Sequence, residues 1–317
     1  MTSILTNSGA ISAVDKLRSI GSARLATQQQ LNTGLRVDTA QDNTAYWSIA
    51  TTMRSDNRAL SAAEDSLGLG AAAVDVAYTG MTNAIYVVQQ IKDKLISGRE
   101  GGVNRVKINT EIKELREELY TIVDASSFNG ENWLLRHSTA DDADKELVGS
   151  FVRDGKGNVS IKTLNYSMAN ALGTNHLIDD DSQSGILTNV AYAQALGTTT
   201  DWVLLNGRNQ TLHTEFTLSN NTAASDVDDM ISVTERMLMA MTDAAAGLGS
   251  TMSRIKMQGA FVADLQDTQD RGVGRLVDAN LESAASKMRA IDVQRSLANQ
   301  ALSVANATPL NLLPLLK

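Results

Sequence analysis

Proline is absent from residues 1–308 of this chain; its only two prolines are Pro309 and Pro314. A proline inside a helix costs about 3 kcal/mol, so its long absence permits long uninterrupted helices. Aromatic residues make up only 4% of the sequence, while Ala, Met, Leu and Gln are plentiful. That composition suits an extended helical bundle better than a broad globular core, and the expected shape is a rod. Length alone would allow two or three domains.

The two ends of the chain are alike. From Val277 onward, small and apolar residues step by four and three through Leu281, Ala284, Met288, Ile291, Ala298, Leu302 and Ala305. This is a seam for packing one helix against another. Arg295 falls on the seam, so a flanking row of Leu297, Ala301 and Val304 is expected to take over there. After Val293 only Arg295 and Lys317 carry charge, and the chain closes with Leu310, Leu312, Leu313, Leu315 and Leu316. Burying one Leu is worth roughly 1.5 to 3 kcal/mol, so an end this apolar needs a partner. At the other end no residue before Asp15 is charged, and Ile4 (with Leu5 beside it), Ile11, Val14, Leu17, Leu25 and Leu31 trace a looser helical stripe. The termini are expected to pair, and several copies to pack their paired ends together. The bland alternative is a helical domain whose end helices close an ordinary core.

Other classes are narrowed by what the sequence lacks. With no cysteine, neither a disulfide framework nor a thiolate zinc site is possible. Met1 is not followed by a basic and then apolar leader, and no run approaches a membrane span, so export, if it occurs, is expected to use a different machine. A net charge of -8 argues against nucleic acid as the main ligand. No cofactor or metal is expected. His137, His176 and His213 lie far apart, without the spacing of a zinc protease motif. The glycines from Gly149 fail the spacing of a phosphate loop, and Asp179, Asp180 and Asp181 lack the spaced ligands of a calcium loop and are expected to be solvated. An enzyme is not expected.

Along the chain, residues 2–31 read as helix, and Gly34 with the following Asp, Asn and Thr residues reads as a connector. Helix resumes through Trp47, Ile49, Met53 and Leu60, with a stripe at Val74, Tyr78, Met81, Ile85, Val88, Ile91 and Leu95. Gly98, Gly101 and Gly102 end it. A third helix is seamed by Ile108, Ile112, Leu115, Leu119 and Ile122, with Lys113, Glu114, Arg116, Glu117 and Glu118 on its outer face. Residues 137–224 change character. One hairpin is expected around the turn at 154–158, flanked by 149–152 and by Val159, Ile161 and Leu164; another is expected from Trp202 through Asn206-Gly207 to Phe216 and Leu218. Trp202 and these hairpins would form the inserted segment's own core. Helix resumes with Ser225 as N-cap and Asp228 three residues on. It keeps a seven-residue beat from Val227 to Val262, on the order of 50 Å.

The expected fold is therefore mainly α: a long antiparallel helical bundle or coiled coil formed by the N- and C-terminal halves, with a small inserted domain containing β hairpins. The expected divisions are an inner-layer helix and connector at 1–42, rod at 43–136, an exposed variable insert at 137–224, rod at 225–272 and an inner-layer helix at 273–317.

These residues resemble bacterial flagellin. The segment QQLNTGLRVDTAQDNTAYWSIA at 29–50 is similar to the flagellin segment after the first helix. Phe128-Asn129-Gly130 looks like the family's turn closing the N-terminal half. Gly274-Arg275-Leu276-Val277-Asp278-Ala279-Asn280, then Ala298-Asn299-Gln300 and the Leu-rich end, are similar to its C-terminal signature. The resemblance implies a homopolymer in which paired terminal helices form an inner layer around a channel. It implies unfolded export through the flagellar type III apparatus, a secretion chaperone, and cap and junction proteins as partners. It also implies termini that order on assembly. Many copies meeting head to tail make an open helical tube, and the small residues Ala284, Ala285, Ala298, Ala301 and Ala305 would let helices crowd near its channel.

Two segments depart from the family pattern. Gln90 and Lys92, followed by Asp93, stand where many flagellins carry two arginines and an acid that the animal Toll-like receptor reads; the guanidinium forks are lost, so weak or absent activation in a reporter cell line is expected. In the counterpart of the plant-immunity epitope, Gln41 and Asn43, on either side of Asp42, stand where Lys and Asp are usual, and Tyr46 and Trp47 where small or aliphatic residues are usual, which favours evasion of the plant receptor. The closest rival reading is the hook-filament junction protein, which shares the terminal helices. A membrane-surface helix fits poorly, because residues 293–316 hold one arginine.

Overall fold

The computed structural model describes residues 6–138, 141, 144–208 and 213–312, with residues 308–312 as backbone only. It divides into two compact units, Met1–Arg58 with Leu265–Lys317, and Ala59–Asp264. The helices in chain order are α1 (Ser8–Thr33), α2 (Thr44–Arg99), α3 (Arg105–Ala125), α4 (Ala191–Gln194), α5 (Ala224–Val277) and α6 (Leu281–Leu312).

In the first unit α1 and α6 lie antiparallel. Asn7 reaches Ala305, Arg24 reaches Asp292, and Gly34 meets Ala279, in descending order along α6. Among the described residues the helix starts at Ser8, where Asn7 caps it, its Oδ1 accepting from the Ala10 N–H at 3.0 Å; residues 2–5 of the expected helix lie outside the described residues. The chain between α1 and α2 is pinned to the end of α5. The N–H groups of Arg36 and Val37 both donate to the Val277 carbonyl, at 2.6 and 3.2 Å, and Ala279 N–H donates to the Gly34 carbonyl at 2.8 Å. Val37, Ala50, Val273 and Val277 form a small apolar cluster under this connector.

In the second unit α2, α3 and α5 make a three-helix core. Val74, Met81, Val88, Ile91 and Leu95 of α2 are buried with Ile112, Leu119 and Val123 of α3 and Val227, Met230, Met237, Met241 and Leu248 of α5. Every third or fourth position is buried, as the periodicity predicts. Tyr78 is an exception at 41% exposed. Ion pairs Lys92–Glu235 at 2.7 Å and Arg99–Asp228 at 2.7 Å tie α2 antiparallel to α5.

Among the described residues, eight short strands decorate this core: β1 (Ser127–Phe128), β2 (Glu131–Asn132), β3 (Leu135–Arg136), β4 (Lys145–Arg153), β5 (Val159–Tyr166), β6 (Ile178–Asp179), β7 (Trp202–Val203) and β8 (Thr214–Glu215). β4 and β5 form the expected antiparallel hairpin, with a bulge between Val148 and Ser150. The second expected hairpin is not one. β7 pairs with β8 in parallel, Trp202 opposite Thr214. Bonds made just after β7 are the reason: the Asn206 carbonyl accepts from the Tyr120 hydroxyl at 2.7 Å, and Arg208 N–H donates to Asp180 Oδ1 at 3.0 Å. They draw Asn206-Gly207 away from a two-residue turn. Trp202 is buried and meets Phe216 edge to face at 6.3 Å.

Other expectations need correction. Arg116 is buried and paired with Glu215, so it is not part of the outer face of α3. Asp179 and Asp180 are buried, not solvated, because Arg136 reaches the Asp179 carboxylate at 2.9 and 3.0 Å. Ser225 lies inside α5, which already begins at Ala224, and Asp228 serves the bond to Arg99. The flanking row does not take over at Arg295. Leu297, Ala301 and Val304 face outward, while Ala298, Leu302 and Ala305 remain half-buried on the inner seam.

Candidate assembly surface

The α1–α6 pair buries very little. Among the described residues Ile20, Thr27, Ala284 and Ile291 are its buried side chains, and Val14, Leu17, Met288, Ala298 and Leu302 are half-buried around them. Small residues at the contact let the helices approach closely: Ala305 and Gly9 face each other, with the Ala305 Cβ 3.6 Å from where a Cβ on Gly9 would stand. Two polar contacts set the register. Arg24 Nε donates to Asp292 Oδ1 at 3.1 Å, and Asn7 Nδ2 donates to the Ala305 carbonyl at 2.8 Å. Both partners of the ion pair are more than a third exposed, so it is worth no more than about 1 kcal/mol and acts as a register mark.

The outer surface of the pair carries charged residues such as Asp15, Lys16, Lys287 and Arg289, but large apolar side chains stand among them. Ile11, Leu25, Leu281, Val293, Leu297 and Val304 are each at least half exposed. Leu17 and Leu25 also line a groove with Gly21, Arg24, Arg295 and Asn299. The predicted assembly residues therefore fall into two sets. Val14, Leu17, Ala284, Met288, Ile291, Ala298 and Leu302 are buried or half-buried, while Ile11, Leu25 and Leu281 are exposed. Ile4, Leu5, Leu313, Leu315 and Leu316 lie outside the described residues, as does the side chain of Leu312. Sequence reasoning misses the Arg24–Asp292 pair, because each is one of several charged residues on its helix and nothing local marks the two as partners.

The two immune-related segments are also placed. Gln41 and Asp42 are exposed in the connector. The Thr39 N–H, then the Asp38 N–H and the Thr39 hydroxyl, all donate to the Asp42 carboxylate and hold it below the usual carboxylate range. Asn43 caps α2, its Oδ1 accepting from Tyr46 N–H at 3.0 Å. On α2, Gln90 is half-buried, Lys92 is engaged with Glu235 and Asp93 is exposed. Gln89, Lys92, Asp93, Glu235, Met239 and Asp243 share one open groove. Among the described residues no cluster of His, Asp and Glu is arranged to hold a metal ion, and no helix is long and apolar enough to cross a membrane.

Terminal helices that pair while leaving large apolar side chains exposed are suited to a self-assembling structural subunit. Comparison with known proteins specifies the class. The bacterial flagellin N-terminal helical region matches residues 4–139, and the bacterial flagellin C-terminal helical region matches residues 231–316. The chain is 44% identical to Flagellin C of Rhizobium meliloti (strain 1021), with 99% of each covered. It is 38% identical to Flagellin A of Rhizobium meliloti and 33% identical to a flagellin of Brucella melitensis, each over 100% of both chains. The chain belongs to the bacterial flagellin family. It is a structural subunit of the extracellular flagellar filament, polymerising with itself and related flagellins in the service of motility; the junction-protein reading finds no support in these matches.

Proposed function

We propose that the two faces of the α1–α6 pair divide the work of assembly. The inner seam, Val14, Leu17, Ala284, Met288, Ile291, Ala298 and Leu302, holds one copy's ends together. The outer residues Ile11, Leu25 and Leu281, with Val293, Leu297 and Val304, meet neighbouring copies. Ile4, Leu5, Leu312, Leu313, Leu315 and Leu316 extend the same contact on sequence grounds. One observation supports this division: six large apolar side chains stand at least half exposed on a helix pair that, among the described residues, buries only four. Each is 50–68% exposed and so gains only about half of the roughly 1.5 to 3 kcal/mol of full burial, and six together are on the order of the cost of association.

On this reading 1–42 and 273–317 build an inner layer, 43–136 and 225–272 a surrounding contact layer, and 137–224 the outermost part. The role is mechanical and not catalytic. The flagellar export apparatus, a secretion chaperone, and cap and junction proteins are its partners, with no nucleic acid or membrane ligand. Gln90 and Lys92 make it a weak ligand, or none, of the animal flagellin receptor, and the changes at Gln41 and Asn43 favour evasion of the plant one.

Electron microscopy of the purified full chain beside a chain lacking residues 293–317, each seeded or salted out, tests the assignment. Filaments from the full chain alone are expected. Filaments from both would remove the C-terminal face from the assembly contact.

A further inference from the structure

A cleft of about 530 Å³ opens between α5 and the segment that follows β5, all within the second unit. That volume lies in the range of roughly 300 to 1,000 Å³ in which proteins hold small ligands. One side of α5 makes the floor. Arg236, Met239, Ala240, Asp243 and Ala244 all line the cleft, and positions spaced by three, four, seven and eight share one face of a helix. The two alanines keep the middle of this floor shallow and apolar.

The opposite wall is set before any ligand arrives. Asn170 Oδ1 accepts from the N–H groups of Leu172 and Gly173, at 2.9 and 2.7 Å, and its Nδ2 donates to the Thr174 carbonyl at 2.5 Å. Asn175 Nδ2 donates to the Ser167 carbonyl at 3.0 Å, which closes the loop on itself. A wall fixed in this way loses little freedom when it is covered. Tyr192 of α4 completes the lining, close enough to Arg236 to feel its charge. Burial pushes the Tyr192 hydroxyl up to about 12, so it stays protonated and donates.

The two ends of the floor carry opposite charges. Arg236 and Asp243 are exposed, and neither has an ion-pair partner among the described residues. Seven residues of helix separate them by about 10 Å. We propose that this cleft binds a short extended peptide with free termini, its carboxylate at Arg236 and Tyr192 and its ammonium at Asp243. Three residues at about 3.3 Å each span the distance between the charges. A single amino acid is too short to reach both, and a ligand with one charge leaves the other end of the floor unmatched. Small side chains fit over Met239, Ala240 and Ala244. Every lining residue belongs to the second unit, so the inference goes beyond the assembly reading and stands separately from it.

Isothermal titration calorimetry of the unassembled full chain at low ionic strength tests this, with trialanine as the probe beside its N-acetyl and C-terminal amide forms. Trialanine is expected to bind with a dissociation constant at or below about 1 mM, and capping either end to weaken it about tenfold. Arg236→Gln should weaken trialanine about tenfold and make the free and amide forms bind alike. Asp243→Asn should do the same for the free and acetyl forms. Each variant is thus matched to one cap, a pattern that loss of folding does not produce. Ala240→Trp, which fills the floor, should abolish binding of all three peptides, with far-ultraviolet circular dichroism unchanged in every variant. Absence of trialanine binding at millimolar concentration, or capped peptides that bind as tightly as the free one, overturns the proposal. Loss on amidation with acetylation harmless overturns it too, because the cleft then reads only an anion. All of these outcomes leave the filament reading intact.

Discussion

Arg136 and Asp179 show how much a single buried pair can hide from sequence. Both side chains are almost fully buried, and the carboxylate also accepts from the N–H groups of Asp181, Ser182 and Ser184 and from the Ser182 hydroxyl, at 2.7 to 3.1 Å. Burial alone pushes the Asp179 carboxyl up, but these donors outweigh it and hold it below the usual range. A depressed folded pKa means that this stabilisation is whole above the unfolded value of about 3.9 and is lost as pH falls through the lower folded one. Replacing Asp179 with Asn should therefore flatten the acid limb of urea-unfolding stability below about pH 4. It should also cost roughly 3 kcal/mol at neutral pH, because buried Arg136 loses its buried carboxylate and keeps only the half-exposed one of Asp181, at 3.3 Å. Parent-like stability at both pH values would contradict this. The run Asp179-Asp180-Asp181 reads as solvated because nothing local announces its partner, which stands 43 residues upstream. Arg116 misleads in the same way: it sits among Glu and Lys on α3, and only the fold brings Glu215 to it.

At the scale of elements, the long helices are legible in the sequence and the short strands are not. Helical seams repeat over many turns, so one or two misplaced residues such as Tyr78 do not obscure them. The β4–β5 hairpin is legible because Asp154 and Gly157 make a turn between alternating residues; Asp154 Oδ1 accepts from the N–H groups of Lys156 and Asn158 at 2.9 and 2.7 Å. The parallel β7–β8 pair consists of two residues on each side and leaves no periodic trace. Close approach between elements is the other feature that pattern cannot show. A Cβ on Gly80 of α2 would overlap the Ser126 hydroxyl and lie 2.7 Å from Leu134 Cδ1, and that hydroxyl is fixed by its bond to the Ile122 carbonyl at 2.7 Å. Gly80→Ala gains up to about 1 kcal/mol of helix propensity and loses roughly 1 to 3 kcal/mol to overpacking, so a net loss is expected. Gly68 of the same helix has nothing within 4 Å, so Gly68→Ala should be neutral or stabilising by up to about 1 kcal/mol. Thermal unfolding of the two variants side by side would check the contrast, and equal effects would count against the packing around Gly80.

At the scale of the whole molecule, the ends of the chain carry its purpose. Their charge-poor, periodic sequence announces that they pair, as α1 and α6 do, and on the proposed reading the exposed side chains of that pair meet neighbouring copies. In the sequence Arg295 looks like an interruption that shifts the seam to Leu297, Ala301 and Val304; instead the seam runs on through Ala298 and Leu302, and that row is left on the outside. The outward row is thus the most direct handle on assembly. The deciding measurement is the critical concentration for filament growth of the full chain carrying both Leu297→Gln and Val304→Gln, determined by sedimentation and electron microscopy against the parent. Removing two apolar side chains from each interface predicts a rise of roughly tenfold or more, with the circular dichroism of the unassembled chain unchanged. Filaments growing at the parent's critical concentration would mean that the outer face of this helix pair does not carry the contact between copies.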